Sequence, residues 1–417
     1  MLQVMEKPRI AIISFPGTNG DTENLRTMWR CGFDAFVFRW NDDREKLRNV
    51  NAYFIGAGFA YEDRGRAGMV AGRDSLFQFL HEEAAMGKVI AGNCNGCQVL
   101  VESELIPLGT GLRMCMARNA TQKNGEWRSP GFLNEWVWVT PSCKKDRCAA
   151  SDWEGAMHIP MAHGEGRFIT KDPDLFSELE ANDQIAFRYC DEHGVVSDDP
   201  SVTLNGSTKA IAGICNPAGN VVALMPHPER TVNGDPYFIS MRKWIERKHD
   251  HQFVETGRQN VSAENNHLSV RSMKSLEIFI DTIIVNNEER TVEQAGKRVA
   301  PALRLKQFRY MAPMGIAAEK ILTTISMFNP NKEIAYVREN GTWRKWNAEK
   351  RIFEPVPSPL QHATYLRRDE PDVGSIAVGG GETGVCYSCT GVTGELPLPL
   401  KEIFANPHAS TLERFTV

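Results

Sequence analysis

The sequence predicts an α/β protein in two parts. The first is a doubly wound, mostly parallel sheet over residues 1–250. The second is a smaller α+β unit over 273–417, with 251–272 as linker. Three observations predict this. Short apolar, β-branched runs alternate with helix-patterned stretches through the first half. The polar text from Glu246 to Ser269 lacks any apolar period and reads as a helix fraying into a linker. Beyond it, strand and helix patterns start again.

"RIAIIS" (Arg9–Ser14) opens as a buried strand and stops at the turn-rich "FPGTNGD". Asp21 is the expected N-cap of a helix that buries Leu25, Met28 and Trp29 and ends at Gly32. "AFVFRW" and "AYFI" follow as strands. Asp74 is placed to cap a second helix carrying Leu76, Phe77 and Leu80, closed by Gly87. "KVIAG" is the next strand, and it runs straight into "NCNG". Between Leu112 and Thr140, "NGEW" and "WVWV" read as an antiparallel hairpin excursion. Strand character returns in "QIAFRYC", "KAIAGIC" and "NVVALMP". In the second part "SLEIFIDTIIV" is a strand, helices are expected near Thr291–Val299 and Gly315–Met327, and "EIAYV" precedes a Trp-rich hairpin.

Composition bounds the function. The chain has 417 residues, 42% apolar and 24% charged, with a net charge of −4. That is ordinary soluble composition, with no basic excess for nucleic acid or anionic membrane. No run of about 18 apolar residues is present, so no transmembrane helix is expected. Ten cysteines are too sparse for a disulfide scaffold, and "MLQVMEKPRI" has no signal-peptide core. Reduced thiols in the cytoplasm are the expectation.

Ligands of doubly wound sheets bind at the carboxyl ends of strands. Cys94 sits at such an end, with glycines two residues before and after it. A strand–Cys–helix turn of this kind is a nucleophile elbow: the backbone is strained, and only small neighbours fit. The helix N-terminus then favours negative charge on the sulfur, and the Asn95 N–H can face an oxyanion. A buried bystander thiol is the plainer reading of the motif alone. "MPHPER" shifts the balance. It follows the strand "NVVAL", so His227 also stands at a strand end, with Glu229 two residues on to orient its imidazole.

With these residues in place, the chain resembles the class I glutamine amidotransferases, which have a flavodoxin-like domain and a Cys-His-Glu triad. Among them it is similar to the glutaminase subunits of phosphoribosylformylglycinamidine synthases, over about residues 8–245. The stretches that carry the likeness are "FPGTNGD", "GFAYEDRGRAG", "GNCNGCQVL", "AHGEGRF", "FRYCD" and "LNGSTKAIAGICNPAGNVVALMPHPER". The resemblance implies catalytic roles for Cys94, His227 and Glu229. It implies glutamine-binding roles for Gly58, Phe59, Asn95 and Gln98, the loop at Gly58 completing the oxyanion hole. It implies hydrolysis of L-glutamine to glutamate and ammonia, with the ammonia used by a synthetase subunit that amidinates formylglycinamide ribonucleotide in purine biosynthesis. A small bridging subunit is a further implied partner.

The chain itself is expected to hold no metal and no cofactor. ATP and magnesium are expected on the synthetase, because no G-x-x-x-x-G-K-S/T loop occurs here. "GGGETG" (Gly379–Gly384) lacks the lysine and reads as a turn. Three departures from the family pattern stand near the elbow: Ala57 in the loop Gly56–Ala60, Asn93 where an apolar residue is usual, and Cys97 before Gln98.

Cys386-x-x-Cys389 has no second ligand pair at zinc spacing, so structural thiols are expected. His163, Glu165 and Arg167 are expected to wall the glutaminase site or a partner interface, and Arg188 and Asp191 are read the same way. Two rival readings remain. One is a glutaminase feeding a different ammonia acceptor. The other is a non-catalytic regulatory or scaffolding relative of the fold.

Overall fold

The computed structural model describes residues 6–123, 125–247 and 267–415. The chain divides into two compact units, Met1–Val261 and Ser262–Val417. Most of the expected linker lies outside the described residues.

The first unit is built on a nine-stranded mixed sheet. Its strands are β1 (Arg9–Ser14), β2 (Asp34–Arg39), β3 (Ala52–Ile55), β4 (Val89–Asn93), β5 (Leu133–Pro141), β6 (Met157–His163), β7 (Phe187–Cys190), β8 (Ile211–Cys215) and β9 (Val221–Leu224). They lie in the order β2-β1-β3-β4-β9-β8-β7-β5-β6. The first five in that order are parallel and the rest antiparallel.

Side-chain alternation makes the sheet two-faced. On β1, Ala11 and Ile13 join a core with Leu76 and Leu80 of α2 (Leu76–Ala85). Ile10 and Ile12 face the opposite core. That core takes Met28 from α1 (Asp21–Arg30) and Tyr237, Phe238 and Met241 from α4 (Asp235–Glu246). α3 (Asn95–Glu102), buried along its whole length, follows β4 after Cys94 and packs into the first of these cores.

Several sequence expectations are corrected. Asp21 is the first helical residue rather than the cap; its carboxylate accepts from the Ser14 hydroxyl at 2.9 Å. Trp29 is 54% exposed. The inward stripe of α1 is Asn24, Thr27 and Met28, which leaves Trp29 on the outer face with its indole N–H donating to Ala35 O. Thr121–Lys123 and Glu126–Arg128 do pair as antiparallel strands, the hairpin expected at "NGEW". "WVWV", however, belongs to β5 inside the main sheet, where Val137 and Val139 face the core.

The second unit is also sheet-rich. Its strands are β10 (Val270–Arg271), β11 (Leu276–Thr282), β12 (Arg304–Ala312), β13 (Glu333–Glu339), β14 (Thr342–Asn347), β15 (Ile352–Pro355), β16 (Ala363–Asp369), β17 (Glu382–Thr390) and β18 (Ser410–Phe415). They are ordered β10-β18-β16-β17-β12-β11-β13-β14-β15, antiparallel except for β10 on β18. Helices α5 (Asn287–Lys297), α6 (Ala318–Leu322) and α7 (Leu398–Phe404) complete the α+β unit. The helix expected over Gly315–Met327 thus shrinks to five residues. Thr323 and Thr324 turn their hydroxyls back onto the carbonyls of Glu319 and Lys320, the local competition that ends helices.

Cys386 and Cys389 are both buried on β17. Three residues apart on a strand, they point to opposite faces and cannot share one metal ion.

Candidate active site

The site forms where two neighbouring parallel strands end. β4 and β9 pair so that Asn93 lies opposite Leu224, and the Cys94 N–H donates to Leu224 O at 2.9 Å. Cys94 therefore leaves the sheet beside the segment that carries His227, three residues beyond β9.

The backbone at Cys94 adopts φ 52°, ψ −108°, a conformation that costs about 1–3 kcal/mol in a non-glycine residue. Its neighbours make the turn sterically unique. A Cβ on Gly96 would fall 1.9 Å from Ile55 O, and one on Gly92 would fall 2.6 Å from Gly96 O. The helix α3 begins at the next residue, so Cys94 stands at the helix N-terminus, where the first N–H groups have no partner within the helix. The thiol is 5% exposed and contacts Ala162 O of β6 at 3.5 Å.

His227 is held by its own N–H, which donates to Pro160 O at 2.7 Å, and by the short turn Pro228–Arg230. Its Nδ1 lies 2.6 Å from Glu229 Oε1. Nε2 makes no hydrogen bond of ordinary geometry, yet Cys94 couples to the ring through charge and a side-chain contact. Burial alone would lower the His227 pKa; the opposing charges of Cys94 and Glu229 raise it to about 10. Glu229 is itself buried, which works against its charge. The charge and hydrogen bond of His227, with further hydrogen bonds from the Glu229 backbone N–H and from Asn93, keep it below the usual carboxylate range. The structure thus brings together the three residues that the sequence singled out.

Of the expected glutamine-binding residues, Gly58 has no room for a side chain: a Cβ would stand 2.7 Å from Thr18 Cα. The Phe59 N–H donates to Gly17 O at 3.0 Å, and its ring, half exposed, lies against Phe132. Asn95 is a hub. Its Oδ1 accepts from the Ala60 N–H, and its Nδ2 donates to Asp63 and to Gln98 Oε1. Gln98 also donates to Glu165 O, so both ends of its amide are engaged in holding the loop. Cys97 is fully buried, and burial followed by the nearby Cys94 pushes its thiol far up.

The polar cluster from "AHGEGRF" divides. His163 is buried, first by desolvation and then by the His227 charge held neutral with a pKa of about 3, and bonds Asn119 through Nδ1. The Glu165 carboxylate accepts from the Ala67 N–H, while Arg167 packs over the Trp127 ring. Arg188 is taken up by Ser142, Glu180 and Lys209 O, and Asp191 by its own turn.

Sequence reasoning missed two residues. Asp63 is half-buried, and desolvation followed by the nearby Glu165 charge raises its pKa to about 7. Asn93, read as a departure, donates from Nδ2 to Glu229 Oε2 at 3.2 Å. Its position immediately before Cys94 was the one available signal. Chemically, a strained thiol, a buried imidazole paired to a carboxylate and a helix N-terminus suit nucleophilic attack on an amide or ester carbonyl.

Residues 7–259 match the model of the CobB/CobQ-like glutamine amidotransferase domain. The chain is 39% identical over 259 residues to the phosphoribosylformylglycinamidine synthase subunit PurQ of Methanothrix thermoacetophila, covering 58% of this chain and 99% of that one. It is 37% identical over 233 residues to the same subunit of Thermomicrobium roseum, covering 54% and 91%. The structure of PurLQS from Thermotoga maritima is similar at 27% identity and a TM-score of 0.45, covering 57% of this chain and 99% of that one.

Proposed function

Because the chain belongs to the CobB/CobQ-like glutamine amidotransferase family, we propose that it is the glutaminase subunit of a phosphoribosylformylglycinamidine synthase. It hydrolyses L-glutamine and delivers ammonia to a synthetase subunit, which converts formylglycinamide ribonucleotide to the amidine. The observation that carries the reading is the strained Cys94 beside an imidazole that is hydrogen-bonded to Glu229 at 2.6 Å. The relatives named above, each subunits of that synthase, supply the acceptor and the partner.

Each step has a residue. His227 takes the Cys94 proton on Nε2, and Glu229 stabilises the imidazolium through Nδ1. The sulfur attacks the side-chain amide carbon of glutamine. The oxyanion faces the Asn95 N–H and the loop at Gly58. In the present arrangement Phe59 gives its N–H to Gly17 instead, so full assembly of the hole calls for this loop to turn. Ammonia leaves with the proton from His227, and a glutamyl thioester remains. His227 then deprotonates water, which attacks the thioester, and glutamate departs from the restored thiol.

ATP and magnesium are assigned to the synthetase partner, and a small bridging subunit is a further candidate member of the assembly. All ten cysteines are free thiols, and no helix among the described residues is long and apolar enough to cross a membrane. A cytoplasmic location agrees with the pathway proposed.

The test is glutamate release by the purified chain, alone and with the candidate synthetase, ATP, magnesium and formylglycinamide ribonucleotide. Turnover should rise severalfold in the complete mixture, with amidine formed. Glutamate release coupled to another acceptor, or none under any condition, would overturn the reading.

A further inference from the structure

The residue before the nucleophile presents a feature that neither the triad nor the glutamine pocket uses. Asn93 is the last residue of β4 and fully buried. Its Nδ2 donates to Glu229 Oε2 at 3.2 Å, across 136 residues of chain. The amide must face the carboxylate with its nitrogen, because its oxygen would meet like charge. The other end, Oδ1, is buried with no hydrogen-bond partner. An unsatisfied buried acceptor destabilises the fold, whereas an apolar residue of similar volume would not. Asn93 is therefore a costly choice for packing alone.

The geometry points to Asn93 as a positioning residue of the glutaminase: it fixes Glu229 so that Oε1 addresses His227 and Oε2 stays ionised. This inference rests on the function proposed above.

The surroundings bear it out in detail. Glu229 is 3% exposed, so water does not orient its carboxylate. Its backbone carbonyl is separately pinned by the Thr27 hydroxyl at 2.8 Å, which holds the main chain but leaves the carboxylate free to rotate. The charged and titratable groups facing that carboxylate are His227 at 2.6 Å, Arg230 at 3.8 Å on Oε1, and the buried Tyr237 phenol. Cys94 and His163 act one step removed, through His227. The Glu229 backbone N–H also donates to this carboxylate, and Asn93 adds a side-chain donor on Oε2. A donor there stabilises the ionised carboxylate, so the hydrogen bond lowers the pH at which Glu229 takes up a proton. Removing it raises that pH. Glu229 protonated at Oε1 or Oε2 no longer supports the imidazolium, and turnover falls on the acid side first.

The test is Asn93→Leu in the full-length chain, with the pH profile of glutamine kcat/KM and the rate of Cys94 alkylation followed by mass spectrometry. We expect a melting temperature equal to or above wild type, kcat/KM reduced about three- to thirtyfold at neutral pH, and the acid limbs of both profiles moved to higher pH. Asn93→Ala should show the same displaced acid limb despite a lower melting temperature, so the test survives if leucine proves too wide. A merely structural asparagine would change stability and leave the acid limb where it was. Wild-type kcat/KM and an unmoved acid limb in either folded variant would overturn the inference while leaving the glutaminase reading intact. Absence of glutamine hydrolysis and of Cys94 alkylation in the wild-type chain would instead remove that reading, and this inference with it.

Discussion

His227 Nδ1 and Glu229 Oε1 lie 2.6 Å apart with both side chains 1% exposed. A contact this short and this dry fixes the imidazole tautomer and leaves Nε2 as the nitrogen that can exchange a proton with Cys94. It also ties the chemistry of the site to its stability.

The kinetic consequence is asymmetric. His227→Ala should lower glutaminase kcat by about a hundredfold or more, the usual scale for a positioned acid/base. Glu229→Gln should lower it by about tenfold, since an amide still orients the ring but cannot balance its charge. Steady-state glutamate release measures both, and equal activity of wild type and His227→Ala would remove the triad.

The thermodynamic consequence follows from the sign of the shift. The His227 pKa is raised from its ordinary 6.5 to about 10, so its contribution to stability is fully present below pH 6.5 and is lost as pH rises through about 10. Thermal melts of wild type should fall across that window more steeply than those of His227→Gln. Parallel curves for the two proteins would show that the pair does not hold its charge in the folded state.

Backbone strain at Cys94 predicts an ordering among inactive variants. With φ 52° and ψ −108°, alanine retains the strain while glycine relieves it. Cys94→Gly should be more stable than Cys94→Ala by about 1 kcal/mol in urea titrations, the reverse of the usual order for this pair of residues.

How much of this was legible in the sequence depended on distance along the chain. β1, β3, β4 and β9 are short apolar runs bounded by turn residues, and each appears where its text placed it. The elbow was legible because Gly92 and Gly96 flank Cys94 within five residues. The Asn93–Glu229 hydrogen bond was not, because nothing local says that β4 and β9 are neighbours. The partner of β5 was hidden for the same reason: "WVWV" alternates like any half-buried strand, and only the pairing with β6 and β7 puts it in the main sheet. On α1 the expected apolar stripe failed at Trp29, because the polar Asn24 and Thr27 are the residues turned inward, Thr27 to reach Glu229 O.

The division into two units predicts separable roles. A fragment of residues 1–250 contains both cores around the main sheet and every residue of the site. It should fold and keep a reactive Cys94, whereas co-elution with the synthetase or self-association should change when Ser262–Val417 is removed. Limited proteolysis followed by size-exclusion chromatography reads both. Loss of Cys94 labelling in a folded fragment would mean that the second unit helps to build the site.

Active-site labelling decides whether Cys94 is the nucleophile of a glutaminase. The intact chain is treated briefly with a glutamine-analogue electrophile, digested, and its ten cysteine peptides compared by mass spectrometry while glutamate release is followed in parallel. A single adduct on Cys94 is expected, formed at the rate at which activity disappears and prevented by excess glutamine. Labelling first at Cys97, Cys31 or any other thiol, or activity that survives complete modification of Cys94, would contradict it.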